Sequence, residues 1–206
     1  MPCKILRNGW AWARPVAYAW SLALLVGLAD STPSNAQDDR AALRRFLNES
    51  INQASSFEDR FDAEVWLIDM QTRLLPFMPD DAMRVEFLTT LHREATAADL
   101  PPELVLAVIE VESHFDRFAI SRVGAQGYMQ VMPFWREEIG RAGDNLTDML
   151  TNLRYGCRIL QFYLNREQGD LETALAAYNG SSGSRVYSDK VRIAWENHWK
   201  IDDLPW

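Results

Sequence analysis

Apolar residues recur along most of the chain at helical rather than strand spacing. Phe61, Val65, Ile68 and Leu75 succeed one another at intervals of four, three and seven residues, and Met83, Phe87, Leu88 and Leu91 keep a similar rhythm. This is the repeat that brings side chains to one face of an α-helix. No segment alternates apolar and polar residues for long enough to predict a strand. Pro76, Pro79 and the pair Asp80-Asp81 interrupt the pattern, which predicts a boundary between an N-terminal helical extension, residues 37–80, and a main domain, residues 81–199. Pro101-Pro102-Glu103 opens a third helix, since the fixed φ of proline and an acidic side chain both suit a first turn. Asp148 and Asp170 are placed to cap two more, MLTNLRYGCRILQFYL and LETALAAYN, by accepting hydrogen bonds from first-turn N–H groups. Residues 124–127 and 180–183 read as loops, and residues 200–206, with Asp202 and Asp203, as a solvated tail. The predicted fold class is all-α, or α with a minor β element.

One apolar run does not share this rhythm. Lys4, Arg7 and Arg14 lead into an apolar stretch of about fourteen residues, short for a bilayer span, and Ser34-Asn35-Ala36 offers short side chains before Gln37. Residues 1–36 are therefore expected to be a secretory signal peptide, with an uncleaved N-terminal membrane anchor as the alternative. The mature chain is expected to be soluble and exported, periplasmic in a Gram-negative cell. Removing Lys4, Arg7, Arg14 and Asp30 takes the formal charge from −8 to −10. A chain this acidic lacks the basic field that supplies most nucleic-acid affinity, so no nucleic-acid partner is expected. Only Cys157 remains after the leader, which leaves no intramolecular disulfide. Stability must come from an apolar core, which roughly 170 residues suffice to build, with Trp66, Trp135, Trp195 and Trp199 to fill it.

The run AVIEVESHF, residues 107–115, places two glutamates inside an otherwise mostly apolar helix. Helical neighbours lie three and four positions away. For Glu110 these are Leu106, Ala107, Ser113 and His114; for Glu112 they are Val108, Ile109, Phe115 and Asp116. Glu112 thus faces three bulky apolar groups, where loss of water disfavours the charged carboxylate and raises its pKa, while Glu110 borders a wetter face. A carboxyl that stays protonated near neutral pH is what a general acid requires. The alternative is a half-buried glutamate paired with Arg117 or Arg122.

The residues C-terminal to Glu112 narrow the choice. Glu112-Ser113-x-Phe115 is succeeded by Ser121, by GAQGYMQVMP from Gly124 to Pro133, by Leu146-x-Asp148-x-x-x-Asn152, and by Ala177-Tyr178-Asn179. The ordered set resembles the catalytic domain of the soluble lytic murein transglycosylases, lysozyme-like enzymes that cleave peptidoglycan, over about residues 81–199. The resemblance implies a lysozyme-like single catalytic domain with Glu112 as the one catalytic acid and base. It implies that Ser121 and Gln130 border a sugar-binding cleft and that Tyr178 and Asn179 line it close to Glu112. Tyr187, in YSDKV, resembles the tyrosine of a later family pattern and ranks below Tyr178. Hydroxyl and amide groups suit the hydroxyls and N-acetyl groups of sugars. Met129, Met132 and Phe115 read as core packing.

The chain also departs from the family it resembles. Tyr128 stands where leucine is usual, the loop after Asn179 is Gly180-Ser181-Ser182-Gly183 where the family commonly has Ala-Gly-Pro-Gly, and Met149 replaces a proline. His92, His114 and His198 lack metal-ligand spacing, so neither a metal nor an organic cofactor is expected. The expected activity is cleavage of the β-1,4 bond between N-acetylmuramic acid and N-acetylglucosamine with formation of 1,6-anhydromuramic ends. A hydrolytic muramidase and an inactive glycan-binding envelope module are the alternatives. The expected partners are peptidoglycan glycan strands, with unspecified envelope proteins besides.

Overall fold

Residues 60–201 are described by the structure, a computed structural model. Among them seven α-helices succeed one another: α1 Arg60–Leu74, α2 Asp81–Thr96, α3 Pro102–Ser113, α4 Trp135–Ile139, α5 Met149–Arg166, α6 Leu171–Tyr178 and α7 Val186–Ala194, continued by a π-helical turn, Trp195–Trp199. Among the described residues the β element is confined to two isolated antiparallel bridges, Ile120 with Gln126 and Gln126 with Val131. The leader over residues 1–36 and the pair Asp202-Asp203 lie outside the described residues.

α3 is the centre of the core. Leu104 to Ile109 are six consecutive buried residues, and a helix apolar on all sides must be enclosed by others. It packs against α2, α7 and the π-helical turn, while α5 bridges α2 and α6. Asp80, Asp148 and Asp170 cap α2, α5 and α6 by accepting from the N–H groups of Met83, Thr151 and Thr173 at 2.8, 3.0 and 3.0 Å.

The face of α1 differs from the one its sequence suggests. Val65, Ile68 and Leu75 are half or more exposed, and the helix is buried through Ala63, Leu67, Met70 and Leu74. Both stripes have helical spacing, but residues two apart point about 200° from each other, so Val65 and Ile68 turn away when Leu67 and Met70 face α2. Met83 of α2 is likewise exposed, unlike Phe87, Leu88 and Leu91. α1 shares the core of the other helices and is tied to them by polar bonds. The Trp66 indole donates to Glu103 at 2.5 Å, and the Arg73 guanidinium donates to the carbonyls of His198 and Lys200 at 3.0 and 3.2 Å. Trp195 and Trp199 are buried, whereas Trp66 and Trp135 are half-buried. Cys157 is fully buried, and that burial pushes its thiol pKa far up.

Candidate active site

Glu112 is the penultimate residue of α3, and the chain reverses immediately after it. Ser113 ends the helix, and His114 and Phe115 both take the left-handed conformation, with φ of 53° and 63°. The expectation that Phe115 and Asp116 continue the helical face of Glu112 is therefore corrected. Nothing in the sequence marks the stop, since two successive left-handed residues without glycine are unusual. Phe115 is instead swung into the core, where its ring meets Phe77, Phe87 and Trp199 at 4.9, 5.9 and 5.5 Å. Asp116 is exposed and accepts from the Phe118 N–H. Ser113 donates its hydroxyl to the Tyr128 carbonyl at 2.8 Å, so the residue beside Glu112 fastens the next loop to the end of α3.

That loop is held from its other side by Asn152 of α5. Its side chain is fully buried and satisfied, accepting from the Met129 N–H at 2.8 Å and donating to the carbonyls of Gln126 and Leu146 at 2.8 and 2.7 Å. Gly127 has φ of 74°, and a Cβ there would strike the Asn152 amide and the Leu146 carbonyl. Glycine is required at this position both for the left-handed backbone and for the close approach. Tyr128, the family departure, is buried with its ring 4.9 Å from that of Phe87. Gln130, also at positive φ, donates its side-chain amide to the carbonyls of Ala119 and Gly127 at 3.2 and 2.9 Å.

These elements enclose a cavity of about 210 Å³. Glu112, Ser121, Gln130, Tyr178 and Asn179 all line it, and among the described residues Glu112 is the one carboxylate on its wall. Met132, expected in the core, lies on the cavity wall, whereas Met129 is fully buried. Sequence reasoning missed Trp135 and Ile159 as lining residues. From the sequence Trp135 reads only as core, and Ile159 comes from α5, whose orientation depends on packing.

Burial raises the Glu112 pKa from 4.5 to about 7, against the opposing effect of a hydrogen bond from Tyr187. The Tyr187 hydroxyl donates to Oε1 of Glu112 at 2.7 Å. Tyr178, ranked above Tyr187 from the sequence, instead donates to the Met129 carbonyl at 2.7 Å and so holds α6 against the loop. The contact with Glu112 falls to Tyr187 because α7, which carries it, packs on α3, whereas α6 packs on α5 and α7; of the two tyrosines, Tyr178 is the one among the residues lining the cavity. Burial and the nearby Glu112 carboxyl raise both phenol pKa values well above the ordinary range, so both hydroxyls remain donors. Neither arginine named as an alternative partner takes Glu112: Arg117 donates to the Thr147 carbonyl at 2.7 Å and pairs with Asp148 at 3.7 Å, and the bond that Glu112 accepts comes from Tyr187 rather than Arg122.

Glu110 occupies a different setting from the wet face its sequence neighbours suggested. Its side chain is only 12% exposed. It accepts from the Trp199 indole at 2.7 Å and lies 2.9 Å from Nδ1 of His198. It therefore anchors the C-terminal turn to α3. Asp144, which accepts from the Tyr155 hydroxyl at 2.5 Å, and Asp148, which caps α5, are held in structural roles away from the cavity. Among the described residues no cluster of three or more His, Cys, Asp or Glu side chains is arranged to hold a metal ion.

Replacing Tyr187 by phenylalanine removes the bond that stabilises the charged form of Glu112, so the carboxyl pKa rises further. The high-pH limb of any reaction using the protonated acid then moves to higher pH, and the maximal rate falls about tenfold through loss of orientation. A pH–rate profile of the Tyr187→Phe variant checks both effects; an unshifted limb would place the phenol outside the acid's control.

The site thus joins a desolvated carboxyl to hydroxyl, amide and apolar side chains on one cavity wall of a helical domain. The sequence pattern of the Transglycosylase SLT domain family matches residues 90–196, and the chain belongs to that family. It is similar to the Transglycosylase of Enterobacteria phage PRD1, 32% identical over 108 residues that cover 52% of this chain and 40% of that protein. It is also similar to the Membrane-bound lytic murein transglycosylase C of Photorhabdus laumondii subsp. laumondii, 28% identical over 149 residues, which cover 63% of this chain and 41% of that protein. The chain thus spans about two fifths of the length of these relatives. An X-ray structure of an inactive mutant of lytic transglycosylase Slt from Pseudomonas aeruginosa aligns at a TM-score of 0.42 and 24% identity, covering 70% of this chain and 30% of that one.

Proposed function

We propose that this protein is a peptidoglycan lytic transglycosylase that cleaves the β-1,4 bond between N-acetylmuramic acid and N-acetylglucosamine without water as nucleophile. The observation that carries the reading is a carboxyl, Glu112, alone of its kind among the described residues of the cavity wall, with its pKa raised to about 7. At neutral pH a large share of the molecules hold this proton. Glu112 donates it to the glycosidic oxygen, which departs with N-acetylglucosamine as an alcohol. Most glycosidases place a second carboxyl across the bond as nucleophile or base, and among the described residues no second one lines this cavity. The substrate's own groups fill that role: the muramyl N-acetyl oxygen attacks the anomeric carbon as the old bond breaks. Glu112 then takes the proton of the same sugar's primary hydroxyl, whose oxygen displaces the N-acetyl group and closes a 1,6-anhydro ring. Atoms balance with no water consumed. Ser121 and Asn179 supply hydroxyl and amide contacts to the sugars, Gln130 offers its side-chain oxygen while its amide nitrogen is held by the Ala119 and Gly127 carbonyls, Tyr178 braces the wall through its bond to the Met129 carbonyl, and Tyr187 orients the acid.

Digestion of purified peptidoglycan by the full chain is expected to release fragments one water lighter than hydrolytic products and resistant to borohydride, since no free reducing end remains. Mainly borohydride-reducible muramic ends would establish a muramidase instead, and binding without release would establish a glycan-binding module. The expected leader places the reaction outside the cytoplasm, in the periplasm of a Gram-negative cell. Among the described residues no helix is long and apolar enough to cross a membrane.

A further inference from the structure

Trp135 stands apart from the polar side chains of the cavity and has no part in the acid chemistry. It borders the same cavity as Glu112, and Ile159, Val131 and Met132 add further apolar surface to the wall. Its indole is held in place before any ligand arrives. Tyr163 of α5 meets it edge-on, with ring centres 6.5 Å apart and planes at 89°, and the neighbouring Phe134 lies at 5.1 Å. Tyr163 in turn meets Tyr178 edge-on at 6.5 Å, and Tyr178 is pinned by its bond to the Met129 carbonyl. The Arg166 guanidinium sits over the Tyr163 ring at 4.6 Å and is paired with Glu167 at 2.7 Å.

A braced indole beside amide and hydroxyl groups suits a ligand with one apolar face and uncharged polar edges, and binding costs little side-chain entropy because the ring is already fixed. We infer that Trp135 is a stacking platform for a further neutral N-acetylhexosamine ring, beside the one whose bond Glu112 protonates, with Tyr163 as its positioning residue. This rests on the reading of the cavity as a peptidoglycan cleft. It adds a requirement for glycan length: the wall engages a sugar that does not react, so its loss weakens binding more than it slows the bound complex.

The test uses the full chain carrying Glu112→Gln, titrated calorimetrically with the β-1,4-linked tetramer of N-acetylglucosamine. Trp135→Ala on this background is expected to weaken tetramer binding about tenfold, Trp135→Phe to restore most of it, and Tyr163→Leu to give an intermediate loss. With Glu112 intact, Trp135→Ala is expected to raise the half-saturating peptidoglycan concentration about tenfold while the maximal rate changes less than about threefold. Circular dichroism and melting curves matched to the parent exclude unfolding as the cause. If the parent binds the tetramer and cleaves peptidoglycan but Trp135→Ala leaves affinity unchanged, the platform is overturned and the cleft reading stands. If a carboxylate-rich peptide binds in a Trp135-dependent way and the tetramer does not, the ligand class is wrong. No tetramer binding together with no release of fragments would overturn the cleft reading and this inference with it.

Discussion

Glu112→Gln is expected to lower fragment release from peptidoglycan by about a thousandfold or more, leaving the fold intact. General acid and base catalysis each contribute about a hundred- to ten-thousandfold, and here one side chain performs both. The amide has no proton to give and no basic oxygen to take one back, yet it keeps the shape of the carboxyl and an oxygen to accept from Tyr187. Glu110→Gln is expected to retain activity within about threefold, because Glu110 is turned toward Trp199 and His198 and does not line the cavity. Its amide oxygen still accepts from the Trp199 indole, so the cost is a weakened bond to Trp199 and a weakened contact with His198, about 1 kcal/mol of stability. Assays of both variants on the same peptidoglycan, with circular dichroism alongside, decide between the two glutamates. Equal losses from both, with unchanged spectra, would remove Glu112 from its role.

The difference between these glutamates is only partly legible in the sequence. Burial of Glu112 is foreshadowed by the apolar neighbours on its N-terminal side, Val108 and Ile109, which are fully buried. The neighbours on its C-terminal side mislead, because the helix stops at Ser113 through two left-handed residues that carry no glycine signal. Ser121, Gln130, Tyr178 and Asn179 are legible as a set because their order and spacing resemble a family, and the fold brings them to one cavity. The Tyr187 contact joins residues 75 positions apart and depends on how α7 lies across α3, which local spacing does not encode. The same limit explains α1: its two apolar stripes both fit a helix, and only the position of α2 and the C-terminal turn chooses Leu67 and Met70 over Val65 and Ile68. Caps are read more reliably, since Asp80, Asp148 and Asp170 act on N–H groups three residues away.

The second large effect expected of Glu112→Gln is on stability, and it depends on pH. The folded carboxyl has its pKa raised from 4.5 to about 7. Between these values the folded protein holds a proton that the unfolded chain has released, so stability falls as pH rises through the interval and levels off above it. This is opposite in sign to a salt-bridged carboxylate. The shift corresponds to a cost on the order of 3 kcal/mol at pH 8 relative to pH 4. Glutamine has no such proton, and it keeps the Tyr187 bond. The variant should therefore match the parent at pH 4 and exceed it by on the order of 3 kcal/mol at pH 8, a rise in melting temperature of roughly 6–12 °C for a chain of this size. Asp144 and Asp170, whose pKa values are lowered by hydrogen bonds, contribute at more acidic pH with the opposite sign and cancel in the comparison. Denaturant titrations of both proteins from pH 4 to pH 8 measure the effect. Parallel stability curves over that range would mean that Glu112 is not desolvated in the folded protein, and would remove the basis for its acting as a neutral-pH acid. Divergence that grows through pH 6 and 7 would show that the proton used in catalysis is held at the expense of the fold.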